Sequence, residues 1–254
     1  MCDLGLPCGK LDCPFTPRNA VETRRIESPY GLNLKKLDPR ATIATIPRDA
    51  VSLRNLVIRR ALHNDPICKF YSVDRDEVLG SNEKQSAIFE RIFPNQVDAG
   101  SRKPTTLDWM LSRTSDGLKF TAPRELIHLL SCVREVQLKK LELGLPEPLE
   151  EALFDRTAFK EALPEVSHVR YGQTLCAEYP DLTKHIEKLR GEKTEHTGDT
   201  LASIWKLKKN EAIALAEKLA EVGFFEKRGT ANDSVFWVPF LYRDALDLVQ
   251  GAAE

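Results

Sequence analysis

The sequence predicts a mainly α-helical protein: a helical bundle followed by a small C-terminal domain that contains one β-hairpin. Two observations predict it. Between Asp49 and Tyr179, apolar residues recur at helical spacing in successive segments separated by proline, glycine and polar turns, as they do in helices with one buried face. From Asn210 to Tyr242 the order becomes an amphipathic helix, Gly223, a short apolar strand, a polar turn and a second strand, the pattern of a helix feeding a hairpin.

Residues 1–45 are interrupted by Pro7, Pro14, Pro17, Pro29 and Pro39 and show no sustained period, so an extended arm is expected there. Val51, Leu53, Leu56, Val57 and Ala61 give a first helix that ends before Pro66. Gly80–Phe93 gives a second, with Ala87, Ile88 and Ile92 as its buried stripe and Pro94 as its stop. After a polar loop, Thr105 or Thr106 caps a short helix through Leu107, Met110 and Leu111. Thr121–Leu126 then opens the longest helix of the chain. Thr121 can cap it, and Pro123 fits its first turn because the missing N–H would have no partner there. Glu125 lies near the positive end of that helix, and its core face runs from Leu126 to Leu141. Beyond the connector Leu145–Pro148, Glu150–Leu163 reads as a helix and Val166–Tyr179 as its amphipathic continuation, closed by Pro180.

The last domain begins at Asp181, which can cap a helix through Leu182, Ile186 and Leu189. A second helix covers Thr200–Lys206, and Asn210 caps a third whose Ile213, Leu215, Ala216, Leu219 and Val222 face a core. Gly223 sits where a left-handed C-cap is expected. Strands over Phe224–Lys227 and Val235–Val238 flank the turn Arg228–Ser234. Three helices and such a hairpin make a winged helix, a module that docks to proteins or reads nucleic acid and carries no chemistry of its own. The resulting division is an arm over 1–45, a helical domain over 46–145, a linker with connecting helices over 146–180 and a winged helix over 181–254.

At 254 residues, 42% hydrophobic and 30% charged, the chain has the composition of a folded protein. No run of about 18 apolar residues is present to span a membrane, and the N-terminus lacks a basic stretch leading into an apolar one. A cytoplasmic protein without a membrane partner is expected, with Cys68, Cys132 and Cys176 as reduced core thiols. Cys2, Cys8 and Cys13 lack paired C-x2-C spacing and a nearby fourth ligand, so no metal site is assigned.

Motifs for catalysis are missing. Gly5–Leu11 resembles a phosphate loop but has three residues between its glycines and Leu11 where a hydroxyl is needed. Asp74, Asp76 and Glu77 read as a solvated acidic loop, and the five histidines form no i, i+4 pair. From Asp181 onward thirteen acids outnumber eleven Lys and Arg, and Glu211, Glu217 and Glu221 lie on the outer side of the third helix, where phosphates would repel them. Lys206, Lys208 and Lys209, with Arg228 on the wing, are the candidate nucleic-acid contacts. Arg124 follows a helix-starting proline. It is either a stiffly held phosphate reader or a surface arginine beside a common helix start.

Ile46–Arg60, Thr121–Leu130 (TAPRELIHLL) and Gly223–Gly251 together resemble the C-terminal half of bacterial P-loop ATPases related to the AAA and STAND classes. The resemblance spans about residues 45–251 and implies a lid-like bundle, a closing winged helix and Arg124 as a nucleotide-sensing arginine. The ATPase core with its phosphate loop and magnesium-binding strand is missing. The resemblance therefore implies a chain that is not an enzyme alone, with ATP and Mg²⁺ present only if a separate core supplies them. The reading is a regulatory fragment whose winged helix docks to a protein, either such a core or a second copy. A winged-helix DNA-binding regulator is the alternative.

Overall fold

The computed structural model describes residues 49–230 and 233–253; the arm of 1–45, with Cys2, Cys8, Cys13 and Gly5–Leu11, lies outside them. The described residues are mainly helical, with a small sheet near the C-terminal end. The first helix, α1 (Ala50–Leu62), is capped by Asp49, whose carboxylate accepts from the Ser52 amide at 2.9 Å. Pro66 does not merely follow a helix end. It occupies the first turn of α2 (Asp65–Phe70), where its missing N–H costs nothing.

The acidic residues expected in a loop open α3 (Arg75–Leu79) instead, with Asp74 accepting from the Glu77 amide. Gly80 is therefore the C-cap of α3, and Ser81 caps α4 (Asn82–Ile92). Thr105 caps α5 (Thr106–Thr114), one of the two residues expected there. The long helix α6 (Pro123–Glu142) starts at Pro123 as expected. Thr121 does not cap it, because its hydroxyl donates to the Leu111 carbonyl and lies 2.7 Å from Ser115 Oγ.

Downstream the reading of helix boundaries is revised most. Helix α7 (Arg156–Val169) is capped by Asp155, carries Pro164 in its interior and passes directly into a π-helical segment, Arg170–Leu175, then α8 (Cys176–Glu178). An interior proline cannot donate to the preceding turn, and a wider turn downstream is one way a helix accommodates such an interruption. Pro180 does not close a helix but begins α9 (Pro180–Ile186), placing Asp181 in its first turn. Helix α7 lies along α6, and Phe93, Phe154 and Phe159 join Trp109 in one aromatic cluster.

The C-terminal part adds β1 (Lys193–Thr197), α10 (Gly198–Trp205), α11 (Lys209–Glu221), β2 (Glu226–Thr230), β3 (Asp233–Trp237), α12 (Phe240–Arg243) and β4 (Val249–Ala252). The expected hairpin is present as β2 and β3, shifted by about two residues at its start because Phe224 and Phe225 bury as core plugs before the strand begins. The sheet has four strands in the order β2-β3-β1-β4, with β1 antiparallel to β3 and parallel to β4. Thr197 and Thr200 reciprocally cap α10. Helix α11 starts at Lys209 rather than after Asn210, since Glu211 reaches back to the Lys208 amide.

His196 on β1 is 1% exposed, and among the described residues neither of its ring nitrogens has a hydrogen-bond partner. Burial holds its pKa below the ordinary imidazole value. The unfolded chain gains this proton below about pH 6.5 while the folded chain resists it, so the unfolded state binds more protons there and stability falls with falling pH. Wild type is expected to lose up to about 1.4 kcal/mol per pH unit through this group. Urea unfolding at pH 7.5, 6.5 and 5.5 checks it: His196→Leu must show a flatter acid slope, and parallel slopes refute the assignment.

Candidate functional site

Of the sequence-derived candidates, Arg124 has the most developed surroundings. It sits in the first turn of α6 with its side chain 70% exposed. Its Nη2 donates to Thr174 Oγ1 at 2.5 Å, on the π-helical segment, and its Nε lies 3.4 Å from Glu125 Oε2. Glu125 is the reverse in exposure, only 5% exposed at its side chain, and accepts from Arg170 Nη1 at 2.8 Å. Two guanidiniums therefore flank one buried carboxylate: Arg170 opens the six-residue π segment, and Arg124 reaches Thr174 within it. Tyr242 of α12 stands beside Arg170, and burial pushes its phenol pKa up despite that positive charge.

Between α6 and α7 with its π-helical extension, Arg124, Glu125 and Arg170 line a groove of about 360 Å³, with Ile127, His128, Val166, Val169 and Gln173. Volumes of this order are typical of small-molecule sites. His128 Nε2 lies 3.5 Å from the Cys132 Sγ one turn along α6. Burial pushes the Cys132 thiol up to about 11, so it is protonated at neutral pH and is not an activated nucleophile. Among the described residues, no group of three or more His, Cys, Asp or Glu is placed to hold a metal ion.

The other candidates lie outside this groove. Lys206 is the left-handed C-cap of α10, with φ 57°, and Lys208 is the N-cap position of α11. Lys209 pairs with Asp199 at 2.8 Å, and Arg228 pairs with Glu226 at 3.0 Å. The neighbouring Lys227 is likewise held by Glu217 of α11 at 2.6 Å. Such exposed pairs contribute little to stability, yet each reduces the positive potential available to a phosphate.

A feature with no local sequence signal joins the helical part to the sheet. Arg228 stacks on Trp237 at 4.0 Å, and Arg243 lies between Trp237 at 4.5 Å and Phe240 at 4.0 Å. Arg113 covers Phe240 at 3.7 Å and reaches Trp109 of α5 at 5.1 Å. Cations and rings thus alternate from β2 to α5, each stacked contact drawing on the negative ring face. Arg243 is buried, donates from Nε to the Val238 carbonyl and is pushed down to about 10 by that burial and by Arg113.

Gly117 and Gly223 complete the junction. The Gly117 amide donates to the Gly223 carbonyl at 2.7 Å, and Gly223 adopts φ 80° at the end of α11. Ala245, beyond α12, donates its amide to Ser167 of α7. No protein-family profile matches the sequence, no curated protein matches it and no solved structure matches the fold.

Proposed function

We propose that the chain is a non-catalytic docking module, with a winged helix over 181–253 set against a lid-like helical bundle, acting on a protein that holds a nucleotide. The element order α9, β1, α10, α11, β2, β3 supports the winged-helix reading, with β3 lying between β2 and β1 as a wing returning to the sheet. The observation that carries docking to protein over reading DNA is the pairing of Lys209, Lys227 and Arg228 with Asp199, Glu217 and Glu226 of the same module. A surface that neutralises its own cations releases few counterions from DNA, which is where nucleic-acid affinity originates. Arg124, largely exposed, is the residue that would meet a phosphate held by the partner, in the sense of a sensor acting in trans.

The test is an electrophoretic shift with duplex DNA at low salt, together with phosphate release from ATP and Mg²⁺. The expected result is no retarded band and no hydrolysis by the purified chain. A salt-sensitive band that disappears in Lys206→Ala/Lys208→Ala would replace this reading with a DNA-binding one. Hydrolysis abolished by Arg124→Ala would overturn the non-catalytic reading.

A further inference from the structure

We infer that the surface joining α6 to α7, residues 141–151, is a seat for the chain's own segment Leu32–Arg40, which sets leucines against leucines and lysines against glutamates. This goes beyond the reading of the protein as a docking module, because it gives one surface an occupant from the same chain. Three observations carry it.

First, the surface is apolar, open and held in shape. Leu138, Leu141, Leu143, Leu145 and Leu149 are five of the ten large apolar side chains exposed among the described residues, and Leu143 and Leu149 are 70% and 83% exposed. Exposed apolar side chains gathered in this way mark a binding face, whereas single ones do not. At one end the Leu145 amide donates to the Lys140 carbonyl at 3.0 Å. At the other the Tyr71 phenol donates to the Glu151 carbonyl at 2.6 Å, and Arg91 pairs with the Glu151 carboxylate at 2.7 Å. Second, the charges match. No Lys or Arg lies between Lys140 and Arg156, while Glu142, Glu147 and Glu150 carry charges that form no ion pair among the described residues. Leu32, Leu34 and Leu37 are interleaved with Lys35, Lys36 and Arg40 against the single acid Asp38, so the segment offers both the apolar and the positive half of the contact. Third, the segment reaches. It precedes α1, which is roughly 20 Å long. Cys68 of α2 donates to the Leu62 carbonyl at the far end of α1, three residues before Tyr71. Residues 41–49 span up to about 30 Å when extended. Membership of one chain sets an effective concentration on the order of 1 mM, so an intrinsic dissociation constant of about 0.1 mM gives roughly tenfold occupancy over the open state.

The experiment is limited trypsin digestion of the full chain, following cleavage after Arg40 and after Arg18 by mass spectrometry. Leu143→Ser/Leu149→Ser alters only exposed side chains and is expected to keep the wild-type urea midpoint while cleavage after Arg40 speeds up about tenfold; cleavage after Arg18, outside the seated segment, stays at the wild-type rate. Glu147→Lys/Glu150→Lys is expected to speed cleavage after Arg40 likewise, and adding Lys35→Glu/Lys36→Glu to that variant should restore the protection by reversing both sides of the contact. Carbodiimide coupling of an equal mixture of ¹⁴N- and ¹⁵N-labelled wild type then locates the occupant: amide links from Lys35 or Lys36 to Glu147 or Glu150 are expected within one isotope. Links only between isotopes would overturn the inference and assign the surface to a second copy. Equal cleavage after Arg40 in wild type and Leu143→Ser/Leu149→Ser, or a reversed-charge variant that stays unprotected, would also overturn it, and none of these outcomes bears on whether the protein binds DNA or hydrolyses ATP.

Discussion

Gly117→Ala is expected to unfold the protein or to lower its stability by more than about 3 kcal/mol, among the largest effects available to a single added methyl group. A Cβ built on Gly117 lies 2.1 Å from the Phe225 carbonyl oxygen, 2.4 Å from its carbon and 2.9 Å from the Gly223 oxygen. All three obstacles are backbone atoms, so no rotamer change relieves the clash. The adjoining Gly117 amide to Gly223 carbonyl bond would be lost with it, and Phe224 and Phe225, both fully buried, are anchored on the same short stretch. Gly172→Ala is the matched control. It sits in the π-helical segment with nothing within 4 Å of the added carbon, and it should be neutral or stabilising by about 0.5 kcal/mol, since alanine restricts the unfolded chain more than glycine does. Thermal and urea unfolding of both variants decide the matter; equal midpoints would show that the junction yields freely.

Arg170→Met is expected to cost about 3 kcal/mol, because it leaves the Glu125 carboxylate buried with only the longer contact to Arg124. The penalty comes from the stranded charge rather than from the attraction lost. Removing both charges in Glu125→Leu/Arg170→Met should therefore recover most of the deficit, whereas additive losses in the double-mutant cycle would show that the pair is not what holds this site together. Urea midpoints at pH 7 measure it. Because Arg170 contacts α6 and borders Tyr242, loss of the pair should also raise amide exchange over 240–246 more than over 50–62.

Much of the helical part was legible in the sequence because its signals are local. Pro123 ahead of a regular apolar stripe announced α6, and Thr105 announced α5. The hairpin followed from Gly223 and two apolar runs. What escaped notice depends on distant partners. Lys193–Thr197 is too polar to read as a strand, and only pairing with β3 and β4 makes it one, with Thr194 and His196 turned inward. Pro164 looked like a boundary, but packing of Phe159 and Val166 on either side outweighs its preference to end a helix. At the candidate site Arg124 was identifiable from its place after Pro123. Its neighbour Glu125 read only as a charge suited to a helix start, because Arg170 is 45 residues away. The stacked arginines were invisible for the same reason: Arg113, Arg228 and Arg243 come from three elements and meet only in the folded chain.

The amide of Gly117 waits for a carbonyl that lies far later in the chain. During vectorial synthesis the helices through α7 can collapse while that loop still faces water, and the seam closes only after residue 225 has left the ribosome. Contacts so distant in sequence form slowly. A nascent polypeptide paused near residue 200 therefore presents an unfinished flank, with Arg113 bare of the Phe240 ring that later meets it, and that is the interval in which it most needs protection from sticking to its neighbours.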